Sequence, residues 1–596
     1  MPSNDDSGPG LDREALRRKY AEERDRRLRA DGAGQYIRPG GEDAPLGQFL
    51  DDPFTPPAPD RAAIETDVDV LMVGGGFGGL MTGARLVELG IDDFLIVENA
   101  GDFGGTWYWN RYPGVACDIE SYIYMPRLEE LGTIPTMRYA SGPEILRHCQ
   151  AFGRHFDLYR RALFQTRVTG MRWDEARSRW AITTSRGDRI AARFVVMSTG
   201  PLNQAKLPGV PGIADFSGKA FHTSRWDYAY TGGDAHGGLT GLADKRVGII
   251  GTGATAIQCV PHLAASARQL FVFQRTPSTI QSRGNRPTDA DWAAGLEPGW
   301  QAQRIADFSA LIAGEPVKDI FRDGWTEAFA ALFDFGEVAP DDIAGAFELN
   351  DFKVVERIRG GIEAIVADPQ VAEALKPYYS LLCKRMGFSD EYLQAFNRPG
   401  VRLVDTGGKG VERIVAEGVV AGGELFELDC LIFATGFEWL TEHKVGCGFE
   451  IHGREGLAQS EAWRDGVLSL YGIHSRDFPN RFIIGNSQQP LTANFAHPID
   501  VAAEHIAHLV RHCLDFGVAT VEPSAAAQEA WVDGVVALSE TRQAANEGCT
   551  PGYYNGEGQS SLRALRNMGY GADINGFARM LAEQRESGAF AGLELR

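Results

Sequence analysis

Two glycine-rich turns constrain this chain more than any other feature. The first reads Val73-Gly74-Gly75-Gly76-Phe77-Gly78-Gly79 and the second Ile250-Gly251-Thr252-Gly253-Ala254-Thr255-Ala256. Each follows a short apolar run and precedes a stretch that suits a helix. Each also meets a charged residue twenty-four positions after its first glycine, Glu98 in one case and Arg275 in the other. In a dinucleotide-binding β-α-β unit that offset falls at the tip of the second strand, beside the ribose 2′ position. An acid there accepts a hydrogen bond from a free 2′-hydroxyl, whereas an arginine grips a 2′-phosphate. The chain is therefore expected to hold two different dinucleotides, the second of them NADPH, and to move electrons between them.

The residues inside each turn fit that reading. Gly74 permits the tight turn, Gly76 lets the backbone approach a pyrophosphate, and Gly79 allows close helix–strand packing. Gly251, Gly253 and Ala256 repeat the pattern, with alanine as an accepted third member. The helix N-terminus that follows offers free N–H groups and partial positive charge to phosphates. Arg275-Thr276 supplies the phosphate grip. The apolar runs at 194–197 and 431–434 both end in Thr-Gly, as paired halves of a repeated plan would. The expected fold is α/β, with two dinucleotide-binding (Rossmann-like) domains, one inserted in the other, and a helical insertion. Residues 1–60 read as an N-terminal extension and linker. The first domain takes 61–205 and 400–596, and the second takes 206–399, with the helical insertion at about 285–382. Residues 11–29 read as a surface helix in which Leu16 and Tyr20 share a face.

Composition excludes some classes. A net charge of −21 argues against a nucleic-acid binder. The eight cysteines form no C-x-x-C pair, so neither a metal site nor a redox dithiol is expected, and a reduced cytoplasmic protein is the simpler reading. The N-terminal residues are polar, so no signal peptide is expected. No apolar run is long enough for a transmembrane helix.

Three further segments carry chemistry, each with a plainer alternative. Gly104-Gly105-Thr106-Trp107 lets backbone and indole approach a cofactor ring, or is a hydrophobic turn. Phe216 to Asp227 lies between the two nucleotide units. Within it, His222 suits a hinge or a cofactor contact, or is a satisfied structural histidine. Lys384-Arg385 serves a 2′-phosphate and a developing anion, or is a solvated pair.

Together these residues resemble the Baeyer–Villiger monooxygenases. Phe216, Gly218, His222, Trp226 and Asp227 match the family fingerprint F-x-G-x-x-x-H-x-x-x-W-P/D. The stretch Gly104 to Gly114, the acid Asp118 and the segment Cys383-Lys384-Arg385 match further family segments. The resemblance implies FAD in the first site, NADPH in the second, and a ketone and O2 as substrates. A flavin C4a-peroxide would attack the carbonyl to give an ester or lactone. It places Arg385, Asp118 and His222 among the catalytic residues. Arg385 would stabilise the peroxide and the oxyanion, and Asp118 would orient it. Gly74, Gly76, Gly79, Glu98, Gly105, Thr106, Trp107, Gly251, Gly253, Ala256, Arg275, Thr276, Lys384 and Trp226 would contact cofactor. The N-terminal extension and the stretch Cys549 to Asn555 are similar to a subgroup acting on large cyclic, steroid or terpenoid ketones. Many other members have Ser-Trp-Tyr where this chain has Pro551-Gly552-Tyr553. The rivals are a flavin N- or S-oxygenase with the same cofactors, a disulfide reductase, which would need a dithiol, and a binding module that keeps the loops without the chemistry.

Overall fold

The computed structural model describes residues 11–40, 46–336, 339, 342–439, 446–546, 548–559, 561–571 and 573–596. The strand Glu65–Val73 lies between Arg189–Met197 and Phe94–Val97 and runs parallel to both. Its last residues are buried without alternation, as a strand covered on both faces requires. The helix Phe77–Glu88 follows the first glycine turn and lies over the sheet, where Leu80 and Ala84 share a core with Ile506 and Val510 of the helix Ala496–Asp515. Val168–Asp174 and Arg179–Thr184 extend this eight-stranded sheet through antiparallel pairs.

A second, five-stranded sheet is parallel throughout. Its order is Val401–Asp405, Gln269–Gln274, Arg246–Ile250, Cys430–Phe433, Lys219–His222. This corrects one expected boundary. The chain does not leave the second unit at residue 400, because the strands Val401–Asp405 and Cys430–Phe433 hydrogen-bond inside its sheet. It rejoins the first sheet at Ile451–His452 and Arg481–Ile483. Between residues 285 and 382 the longest helices are Trp300–Ile312, Gly324–Leu332 and Ile343–Ile365.

The two glycine turns are near copies. Gly74 has φ +111° and Gly251 φ +117°. A Cβ on either would stand 2.4 Å from a carbonyl oxygen, that of Ser198 for Gly74 and that of Ala434 for Gly251. Those carbonyls belong to the strand ends that carry the repeated Thr-Gly, so each turn is wedged between its own helix and the neighbouring strand end. Only glycine tolerates both the backbone angle and the approach.

The N-terminal helix Arg13–Arg27 is anchored on the insertion and on the second unit. Tyr20 packs edge-on against Phe352 and accepts a hydrogen bond from Arg359. Arg27 donates to the carbonyl of Arg275 at 3.1 Å and to Thr276 Oγ1 at 3.2 Å.

The cysteine reading is corrected at one pair. Cys383 and Cys549 form a disulfide, with Cα atoms 5.3 Å apart, and the other six cysteines are buried outside any disulfide. The partners lie 166 residues apart, so no local spacing announces them. Among the described residues, no helix is long and apolar enough to cross a membrane.

Candidate active site

The first nucleotide site is built from backbone. Gly76 caps the helix Phe77–Glu88 in extended conformation (φ −80°, ψ −163°), and Gly253 caps Ala254–Ser266 in the same way (φ −78°, ψ −173°). Neither cap has a side chain to occupy the helix's first N–H groups, so these remain available to a pyrophosphate. Gly79 lies against the Gly74 carbonyl, and Gly105, at φ +52°, comes within 2.7 Å of Gly76 Cα at its Cβ position. Glu98 is buried and its carboxylate accepts from the backbone N–H groups of Gly75 and Ala100. Burial pushes this carboxyl up, and the N–H donors partly offset it. Thr106 and Trp107 line the adjoining cavity, with Trp107 Nε1 donating to Tyr124 at 3.1 Å. A turn open to pyrophosphate, a fixed acid at the ribose and an indole at the cavity wall fit FAD.

The second site is a cluster of cations. Arg275 donates to Gln35 Oε1 at 2.5 Å and to Glu557 Oε2 at 3.2 Å. The Lys384 amine donates to the Pro551 carbonyl at 2.9 Å. Burial, and then the charge of Arg275, lower this amine to about 7. Thr252 Oγ1 donates to the Thr276 carbonyl, tying the glycine turn to the phosphate end. This donor set fits a nucleotide bearing an extra phosphate.

A cavity of about 500 Å³ is lined by this cluster and also by Arg385, Asp118, Trp439 and Phe495. Arg385 donates Nε–H to Asp118 Oδ2 at 2.9 Å and Nη2–H to Asp118 Oδ1 at 2.7 Å. Its guanidinium lies 4.9 Å from the Trp325 ring centroid, and the Trp325 indole donates to the Asp118 carbonyl at 2.9 Å. Burial lowers the guanidinium's affinity for its proton, but the Asp118 carboxylate outweighs that and holds it above its usual range. Arg385 is thus a permanent, oriented cation at the cavity wall. Such a group can meet negative charge developing on an oxygen without reorganising.

Two expected site residues stand elsewhere. His222 is wholly buried and does not line the cavity. Its Nδ1 lies 2.8 Å from Ser224 Oγ and its Nε2 lies 3.2 Å from the Gly436 carbonyl. Burial, aided by Arg225, lowers its imidazole to about 3, so it stays neutral. It ties the strand Lys219–His222 to the turn after Cys430–Phe433, which suits positioning rather than proton transfer. Trp226 is also buried. It donates to Thr231 Oγ1 at 3.1 Å and packs on Phe221, which places it in the core and off the cavity lining. Ala256 likewise packs in the core, as the third motif position requires. Gln35, Tyr36, Lys206 and Glu557, which sequence reading did not single out, surround Arg275. Tyr36 and Glu557 lie more than two hundred residues from it, and no motif marks them.

Two Rossmann-like units, one fitted for FAD and the other for NADPH, with a fixed arginine between them, define a pyridine-nucleotide-dependent flavin oxidoreductase. A flavin-binding monooxygenase-like family model matches residues 68–290. Over 98% of this chain and the whole of its own length, the neopentalenolactone D synthase of Streptomyces avermitilis is 49% identical. Coverage is the same for the pentalenolactone D synthase of Streptomyces arenae, at 47% identity. Among solved structures, the polycyclic ketone monooxygenase of Thermothelomyces thermophila is 37% identical, with a TM-score of 0.91 over 98% of this chain and 99% of that one. The chain belongs to the Baeyer–Villiger monooxygenases: it is an FAD- and NADPH-dependent enzyme that oxidises a ketone with O2. Among proteins so similar, a Baeyer–Villiger monooxygenase of Stachybotrys chlorohalonatus is 45% identical over all of this chain and 96% of its own. The N- or S-oxygenase and disulfide-reductase alternatives fall with this assignment.

Proposed function

We propose that this enzyme converts a bulky polycyclic ketone of terpenoid type into its lactone. The observation that carries the reading is the missing ring at Gly552, the position at which many family members carry tryptophan. A Cβ there would stand 2.9 Å from Lys384 Nζ, and the lysine fills that place by bonding to the Pro551 carbonyl. No large ring fits there while Lys384 keeps that bond. The cavity wall is made instead by Trp439, Tyr553 and Tyr554, whose rings pack on one another with centroids 4.4 to 6.4 Å apart. The names of the (neo)pentalenolactone D synthases and the polycyclic ketone monooxygenase support a multi-ring substrate.

In this reading, bound FAD, once reduced by NADPH, supplies the oxygen-transferring chemistry. Arg275, Thr276 and Lys384 hold the 2′-phosphate end of NADPH. Arg385 stabilises negative charge on the oxygen that reacts at the carbonyl, and Asp118 fixes its guanidinium. The aromatic wall excludes water, which protects the reacting oxygen from loss. The test is a screen of NADPH consumption with product identification across small cycloalkanones, macrocyclic ketones, steroids and tricyclic terpenoid ketones. The expected result is coupled lactone formation from the polycyclic ketones. Lactone formation confined to small cycloalkanones overturns the proposal.

A further inference from the structure

Glu557 is a buried carboxylate set among cations. Its Oε2 accepts from Arg275 Nη2 at 3.2 Å, its Oε1 lies 4.0 Å from Lys206 Nζ, and the same Oε1 accepts from the Tyr36 hydroxyl at 3.5 Å. Only 4% of the residue is exposed. Arg275 is the residue whose offset from the second glycine turn assigns it to the 2′-phosphate. The carboxylate therefore sits on the guanidinium that the phosphate needs.

Tyr553–Gly558 is a short irregular turn in which Glu557 itself has φ +58°, an unusual conformation for glutamate. Within the turn, Asn555 Oδ1 accepts from the Gly552 and Gly558 N–H groups, Asn555 Nδ2 donates to the Thr550 carbonyl, and the Glu557 N–H donates to the Gly552 carbonyl. A dianionic phosphate and a carboxylate on one arginine repel each other, whereas a buried arginine with neither is costly. One anion must replace the other.

We propose that Glu557 is a built-in competitor for the 2′-phosphate, a residue that sets the enzyme's affinity for NADPH by holding Arg275 until the phosphate displaces it. The same turn carries Tyr553 and Tyr554, which line the cavity together with Arg385. This inference rests on the NADPH reading of Arg275.

The experiment titrates 2′-AMP and, separately, 5′-AMP into the FAD-loaded enzyme by calorimetry. It compares the native chain with Glu557→Gln, Arg275→Ala and the double variant. The expected result is that 2′-AMP binds Glu557→Gln about tenfold more tightly than the native chain, while 5′-AMP changes less than twofold. In the Arg275→Ala background, Glu557→Gln should change 2′-AMP binding less than twofold. Glu557→Asp, which keeps the charge but withdraws the carboxylate by one methylene, should tighten 2′-AMP binding by an intermediate amount and serves if the glutamine variant does not fold. Unchanged or weaker 2′-AMP binding in both Glu557 variants overturns the inference and leaves the NADPH reading standing. Equal 2′-AMP binding to the native chain and to Arg275→Ala overturns the Arg275 reading and the inference with it.

Discussion

Arg385 and Asp118 meet through two parallel hydrogen bonds of 2.9 and 2.7 Å across 267 residues of sequence. A two-point contact fixes the plane of the guanidinium as well as its position. Trp325 braces both partners, stacking near the guanidinium and donating to the Asp118 carbonyl. The cation at the cavity wall is therefore held in one orientation before any substrate arrives.

Removing either partner is expected to separate the two halves of the reaction. Arg385→Ala should lose product formation by about 10²- to 10³-fold, the range for deleting one preorganised stabiliser of a developing oxyanion. NADPH-driven flavin reduction should persist, with the electrons escaping as hydrogen peroxide. Arg385→Lys keeps charge but not the fork, so it should recover only part of the loss. Asp118→Ala should fall between these two variants. Stopped-flow bleaching of the flavin, measured beside lactone and peroxide yields, checks all three. Normal lactone yield from Arg385→Ala would remove the residue from the chemistry.

The Lys384 amine, lowered to about 7 by burial and by Arg275, should make NADP+ binding depend on pH. A 2′-phosphate favours the ammonium, so binding draws a proton onto the amine. Above pH 7 that proton must come from solvent, and the dissociation constant should rise up to about tenfold per pH unit between 7 and 9. Calorimetry in buffers of different ionisation enthalpy should register proton uptake at pH 8. Lys384→Met should bind more weakly and lose the slope, and a slope that survives the substitution would assign it to another group.

How much of this was legible in the sequence follows from distance along the chain. The glycine turns, Glu98 and Arg275 obey a local rule, since helix and strand lengths fix the offset, and each turn does open a helix with its charged partner directly after the strand that follows. Lys384 and Arg385 are adjacent in sequence and line one cavity, yet one bonds the Pro551 carbonyl and the other Asp118, which only the fold reveals. His222 and Trp226 belong to a fingerprint whose spacing is specific, yet spacing carries no information on burial. The strand Lys219–His222 sits at the edge of the second sheet, and its partner contacts turn His222 inward. The expected return at residue 400 failed for a related reason. A parallel sheet takes strands from far along the chain, and nothing in residues 401–405 distinguishes one sheet from the other. Gln35, Glu557 and the Cys383–Cys549 bond are long-range contacts without a motif.

That disulfide ties the Arg385 segment to the turn that carries Tyr553, Tyr554 and Glu557. Cys383 precedes Lys384-Arg385 directly, and three residues separate Cys549 from the turn. In the absence of reductant, the denatured enzyme should therefore present six thiols to a colorimetric reagent, and eight after reduction. Loss of the bond should destabilise the fold by about 2–4 kcal/mol, the usual range for a native crosslink. It should also weaken NADP+ binding several-fold, because the turn beside Lys384 is less constrained. Cys549→Ser, assayed by denaturant midpoint and NADP+ titration, tests both. Eight thiols without reductant would show that the bond is absent.

Acid should weaken the fold through its buried histidines. Burial lowers His222 to about 3, His497 to about 4 and His505 to about 3, against an ordinary 6.5. Between those values the unfolded chain binds protons that the folded chain does not, so stability is present above pH 6.5 and lost as pH falls. At pH 5 each histidine should cost about 2 kcal/mol, a sizeable share of the 5–15 kcal/mol typical of a folded domain. Burial also raises the carboxyls of Glu98 and of Asp351, the latter to about 6, and these favour the folded state as pH falls, which offsets part of the loss. The net expectation is a urea midpoint clearly lower at pH 5 than at pH 7.5. His222→Gln, which cannot titrate, should be less stable at pH 7.5 but lose less on acidification. Because His222 stays neutral in the folded enzyme, that variant should leave the shape of the pH–rate profile between 6 and 9 unchanged. A profile shifted by His222→Gln would return the residue to the catalytic set.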